Sequence, residues 1–212
     1  RRYRPQFQAL QAAGYPILFV TLTRQTQDWH PGQLKEEIGE VRDCWSAMRY
    51  GRKKLQRWNA LIAGGLYGLE ATLYRREVGG AIAVDSDGVM ARRNHAHIHA
   101  VVALHPHVDP DLACGRLEQW WMDEVRERGW EVSESGQKVE PVDADRLGDD
   151  SSGNVLNYIV KYLGKPDDLV ATDDAEEFLD GCKGVRAVQT FGILHGAALR
   201  KCAALRDVAP TE

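Results

Sequence analysis

The stretch RNHAHIHAVVAL, residues 93–104, restricts the fold more than any other part of the chain. On an extended backbone successive side chains point to opposite faces. His95, His97 and His99 therefore share one face, and Ala96, Ile98, Ala100 and Val102 share the other. The second set is small and apolar, so this strand belongs to a sheet whose one side is packed dry. The first set lines up three imidazoles on the opposite side, where a chain needs a reason to keep them.

The remaining segments supply partners for such a strand. YPILFVTLT, 15–23, is β-branched and aromatic and reads as a buried strand. GGLYGLEATLYRR, 64–76, is a second, with Leu66, Gly68, Glu70, Thr72 and Tyr74 alternating against Tyr67, Leu69, Ala71 and Leu73. Between them Leu34, Ile38, Val41, Trp45 and Met48 recur at helical spacing after Pro31, and Gly51 interrupts the basic run that follows. Residues 77–93 read as a glycine-rich loop or extra hairpin. A helix over DPDLACGRLEQWWMDEVRERG is expected to be capped by Asp109. A short strand is expected at QKVEPV, a helix at VLNYIVKYLGK, an exposed acidic segment at 167–181, a strand at VRAVQTFGIL and a helix over 196–206. Strands outnumber the crossovers that a parallel sheet requires. The expected class is α+β, a mainly antiparallel sheet of about five strands flanked by helices. With no repeat and no linker, residues 1–212 read as one domain, and Arg1 in place of Met points to excision from a longer polypeptide.

No apolar run approaches the roughly 20 residues that span a bilayer. The four scattered cysteines, Cys44, Cys114, Cys182 and Cys202, form no CxxC pair, and the expected location is a reducing cytoplasm. The net charge of −4 hides an asymmetry: residues 1–105 hold 15 Lys+Arg against 9 Asp+Glu, and the rest 12 against 22. Basic residues cluster at RRYR (1–4), RYGRKKLQR (49–57), Arg75–Arg76 and Arg92–Arg93. Such clusters are either a phosphate-binding footprint or a solvated helix face. Trp58, Tyr67 and Tyr74 are candidates for stacking on bases, set against the usual fate of such aromatics in a core.

Two constellations carry chemistry. His97 and His99 are neighbours on one strand face, and Glu70 is the lone acidic residue in an otherwise apolar and aromatic strand. A carboxylate there is costly unless something positive meets it. Two imidazoles suit Zn, Mn, Fe, Ni or Cu, and a carboxylate as third ligand broadens the site towards Mn2+ or Mg2+. His95 reads as an orienting residue or the start of the strand. In NYIVKYLGK, Tyr158 and Tyr162 are one helical turn apart, with Lys161 and Lys165 beside them. A phenol flanked by lysine is suited to attack a phosphodiester. The competing reading of each constellation is structural: satisfied histidines, half-buried tyrosines and wet lysines.

The order of a strand FVTLT, a glutamate strand GLEATL, a strand HIH and a helix YIVKY resembles the HUH endonucleases, named for histidine–hydrophobe–histidine. Within them it looks most like the rolling-circle replication initiators (Rep proteins) of plasmids and single-stranded-DNA phages. The resemblance spans residues 17–165. It implies an HUH-type sheet, His97, His99 and Glu70 as metal ligands, Tyr162 as nicking nucleophile and Tyr158 as the second tyrosine of two-tyrosine members. Many plasmid initiators carry glutamate where Tyr158 stands, so this chain follows the phage-type pattern. The implied activity is metal-dependent, strand-specific nicking and rejoining through a 5′-phosphotyrosine. The implied partners are single-stranded or hairpin origin DNA and a host helicase and polymerase, with no membrane. A two-tyrosine rolling-circle transposase shares these motifs. A plasmid-transfer relaxase fits less well, its third ligand usually being histidine. A non-catalytic DNA-binding domain with structural histidines is the alternative of another class.

Overall fold

The computed structural model describes residues 3–25, 27–29, 33–75, 77–78, 81–82, 92–143, 180, 183 and 188–195. Its centre is an antiparallel sheet built around the histidine strand, β6 (Arg92–Leu104). β6 pairs on one side with β1 (Ile17–Thr23) and, past the end of β1, with the short β2 (Gln27–Trp29). On its other side lies β3 (Ile62–Arg75). The short strands β7 (Lys138–Pro141) and β8 (Gln189–Gly192) complete the order β7-β1-β6-β3-β8, every pairing antiparallel. A separate antiparallel pair joins β4 (Glu77–Val78) to β5 (Ala81–Ile82), within the segment expected to be loop or hairpin. The expected α+β class with a mainly antiparallel sheet is what the chain adopts.

Among the described residues four α-helices flank this sheet: α1 (Arg4–Ala12), α2 (Leu34–Ala47), α3 (Arg52–Leu61) and α4 (Pro110–Glu127). The expected stripe on α2 is the packing face: Leu34, Ile38, Val41, Trp45 and the following Met48 are all buried. They meet Ala113, Leu117, Trp120, Trp121 and Val125 of α4, and the dry face of β6, where Ala96, Ile98, Ala100 and Val102 are buried as their alternation requires. At roughly 1.5–3 kcal/mol for each large apolar side chain, this layer is the main source of stability. The basic run does not continue α2. The backbone turns at Gly51, whose φ of +94° lies in the region open to glycine, and restarts as α3.

The sequence gives little sign of α1, which has only Phe7 and Leu10 to bury, with Pro5 in its first turn. Both pack on the opposite face of the sheet, against Ile17, Phe19, Leu66, Val101 and Ala103. Trp58 and Tyr67 lie in the larger core with Trp45 and Phe191, ring against ring at 5.4–6.4 Å, and that packing withdraws both from the role of exposed base-stacking platforms. Asp109 caps α4 as expected, its carboxylate accepting from the Asp111 N–H at 3.0 Å. Cys44 and Cys114 are free thiols, and burial pushes both up to about 11. Among the described residues no helix is long and apolar enough to cross a membrane.

Candidate metal centre

The register of three strands makes the site. Glu70 of β3 stands opposite His97 of β6, and Gly68 stands opposite His99, leaving that imidazole room on the β3 side. Directly opposed residues on antiparallel strands have Cβ atoms about 5 Å apart, so a glutamate can reach both histidines. Nε2 of His97 lies 2.9 Å and Nε2 of His99 lies 2.7 Å from the same Glu70 Oε2. The two rings are nearly perpendicular, with centroids 4.6 Å apart. The ligand atoms of all three residues fall within 4.8 Å of one another. Their side chains are 14%, 5% and 11% exposed for His97, His99 and Glu70, a largely shielded cluster.

β1 adds the support. Thr21 pairs with His99 in register, and its Oγ1 lies 3.0 Å from His99 Nδ1. In the metal-free protein Nε2–H donates to Glu70 and Nδ1 accepts from the Thr21 hydroxyl. That hydroxyl can equally accept from Nδ1–H, which frees the Nε2 lone pair in the tautomer a metal ligand needs. Phe19, two residues before, stacks parallel on the His99 ring at 5.9 Å. No motif in the sequence marks Thr21. The signal available was its place on a strand of matching alternation; the pairing itself depends on register. Thr23, opposite His97, donates its hydroxyl to the Arg24 carbonyl. Replacing Thr21 by the near-isosteric valine is expected to weaken divalent-ion binding about 10- to 100-fold with little change in melting temperature, as calorimetric titration with Mn2+ would show.

The trio has a definite electrostatic state. Burial alone would raise the Glu70 carboxyl, but hydrogen bonds from His97 and His99 outweigh it and bring it down to about 2. Burial holds the His99 imidazole below the usual histidine value, with Glu70 pulling the other way. At neutral pH the cluster thus offers a carboxylate and a neutral His99 imidazole. The unfolded chain protonates His99 near pH 6.5 and Glu70 near pH 4.5, in both cases before the folded chain does. Metal-free protein is therefore expected to lose stability as pH falls, first below 6.5 and again between 4.5 and about 2. The Glu70 part is on the order of 3 kcal/mol. Urea titrations at pH 7, 5 and 3 check this, and Glu70→Gln should flatten the lower limb.

The donors fit a divalent ion: two imidazole nitrogens and one carboxylate oxygen, all convergent. His95 pairs with Thr72 two residues before His97, so β6 has begun well ahead of the cluster. Tyr158, Lys161, Tyr162 and Lys165 lie outside the described residues, as does the expected helix at 196–206. No protein-family model, curated protein or solved structure matches the chain.

Proposed function

We propose that this chain is a metal-dependent DNA nickase and strand transferase of the HUH type, acting on single-stranded or hairpin DNA to start and end rolling-circle replication. The observation that carries the reading is the convergence of Glu70, His97 and His99 from two adjacent antiparallel strands onto one point, in a chain that also holds the YxxxY pair. Mn2+ or Mg2+ at the trio would supply Lewis-acid polarisation of a scissile phosphate. Thr21 would hold His99 in its ligating tautomer.

The chemistry belongs to the tyrosines. The Tyr162 oxygen attacks phosphorus in line, its proton passing to solvent. The new O–P bond leaves a 5′-phosphotyrosine, and the strand's O3′ departs and takes up a proton as a free 3′-OH for a polymerase. Lys161 and Lys165 offset the negative charge growing on the phosphate. After one circuit Tyr158 attacks the regenerated site, and the released 3′-OH displaces Tyr162 from its phosphate, closing a circle. No nucleotide hydrolysis is needed, because each broken P–O bond is exchanged for another.

The test is incubation with Mn2+ and a randomised pool of single-stranded and hairpin oligonucleotides, read as covalent protein–DNA adducts on denaturing gels. An adduct that disappears in Tyr162→Phe is the expected result. No adduct with any divalent ion, or an undiminished adduct in that variant, overturns the proposal. The sequence recovered from the adduct would also separate a replication origin from the transposon end of a rolling-circle transposase.

A further inference from the structure

Among the described residues two guanidinium groups are buried, and they are treated differently. Arg24 is 4% exposed and lies over Trp130, but its nitrogens meet Glu37 at 3.2 Å and Glu40 at 2.8 Å. That is the usual way to keep a buried cation. Arg49, just past the end of α2, is 9% exposed and sits among five rings: Trp45, Tyr50, Trp58, Tyr67 and Phe191, each centroid 5.1–5.9 Å from its central carbon. Its Nε is fully shielded and finds no hydrogen-bond partner, and no described carboxylate pairs with it. Ring faces attract the charge but accept none of the guanidinium's hydrogen bonds well.

Arg49 also lines a cavity of about 160 Å3 that opens to solvent, with Tyr50, Leu55, Trp58, Asn59 and Phe191 around it. The large apolar residues exposed among those described are Tyr50, Leu55 and Leu112, and the first two are at this rim. α3 starts beside them. Its cap is Gly51, which offers no side-chain acceptor to the first N–H groups, and Arg52 and Lys53 of its first turn are exposed. The cavity is thus lined by aromatic rings and by a buried cation to which no described residue offers an anion. From this geometry we infer that the cavity binds a nucleotide, its phosphate on Arg49 and its base against Tyr50 and Leu55. A phosphate is the acceptor that a guanidinium without a described carboxylate partner takes, and a planar base matches the exposed ring.

This site is separate from the metal centre. Trp58 and Tyr67 belong to the core on the dry face of β6, whereas His97 and His99 share the other face with Val101 and Ala103. Ile62, at the cavity, precedes Glu70 by eight positions along β3, roughly 25 Å. The inference therefore does not rest on the nicking reading, and its test needs neither metal nor cleavage.

The experiment is calorimetric titration in EDTA with deoxynucleoside 5′-monophosphates, the matching nucleosides, inorganic phosphate, benzoate, and hexanucleotides with and without a 5′-phosphate. Nucleotides are expected to bind at least about tenfold more tightly than nucleosides or benzoate. Arg49→Met, which keeps the apolar stem within the rings, should lose that preference while retaining its circular dichroism spectrum and cooperative melt. Tyr50→Ala, at a residue 65% exposed, removes the stacking face at little risk to the fold and should weaken binding about tenfold. If the phosphorylated hexanucleotide binds more tightly than the mononucleotide, the source is a strand end. Equal binding assigns a free nucleotide. Absence of binding by every phosphate-bearing ligand, a preference for benzoate, or nucleotide binding unchanged by Tyr50→Ala and Arg49→Met would overturn the inference.

Discussion

Replacing His97 by alanine is expected to abolish divalent-ion binding and, with it, the nicking that we propose. In the parent protein an ion present at about 100 times its dissociation constant adds about 2.7 kcal/mol to the folded state. For a chain of this size that raises the melting temperature by roughly 5–10 °C. His97→Ala should show no such rise, because the remaining donors, His99 and Glu70, hold an ion from two directions only. Polarisation of a phosphate by the metal contributes several kcal/mol to the transition state, so the nicking rate should drop at least about a hundredfold. Cleavage at the parent rate, or an undiminished thermal response to Mn2+, would remove the metal from the trio.

Glu70→Gln separates this from a purely structural cluster. Glutamine keeps the volume and an acceptor oxygen but gives up the charge. A trio that merely satisfies its own hydrogen bonds should tolerate the change while losing, at neutral pH, the about 3 kcal/mol that the ionised carboxylate contributes. A metal centre should not, because the anionic ligand is lost. The informative pattern is ion binding lost in a variant that still melts cooperatively, because lowered stability alone leaves the affinity of the folded protein unchanged.

The parts of this site that were legible in the sequence are those set within a single strand. Period-two alternation determines that His97 and His99 share a face and that Ile98 and Val102 share the other. Glu70 stood out because a carboxylate in so apolar a strand demands a compensating partner. Register between strands is not written locally. Whether Thr21 meets His99 depends on the pairing of β1 with β6, which is set by packing across 78 positions of chain. Arg49 was visible only as one cation in a basic run, and a solvated face was the natural expectation for it. Burial came from Phe191, a residue 142 positions away whose short strand lays its ring over the aromatic cluster. α1 was not legible because two buried residues are too few to establish a helical period.

Trp121→Ala is expected to be the most destabilising single change in the fold, and its cause links the core to the metal centre. The Trp121 ring is fully buried between α2, α4 and the sheet, and its indole N–H donates to the Thr23 carbonyl at 2.8 Å. Gln137 holds the same residue from the other side, accepting from the Thr23 N–H at 3.0 Å and donating to the Thr23 carbonyl at 3.0 Å. The end of β1 is thereby pinned two residues from Thr21. Truncation to alanine should cost about 3–5 kcal/mol, a large share of the 5–15 kcal/mol typical of a domain. Trp121→Phe keeps most of the ring and gives up the hydrogen bond, and since Gln137 still satisfies the carbonyl its added cost from that bond should be only about 1 kcal/mol. Chemical denaturation resolves the two. Because Thr21 orients His99, the alanine variant should also bind Mn2+ more weakly at temperatures where it is still folded. Unchanged affinity there would mean that β1 holds Thr21 in place without this anchor.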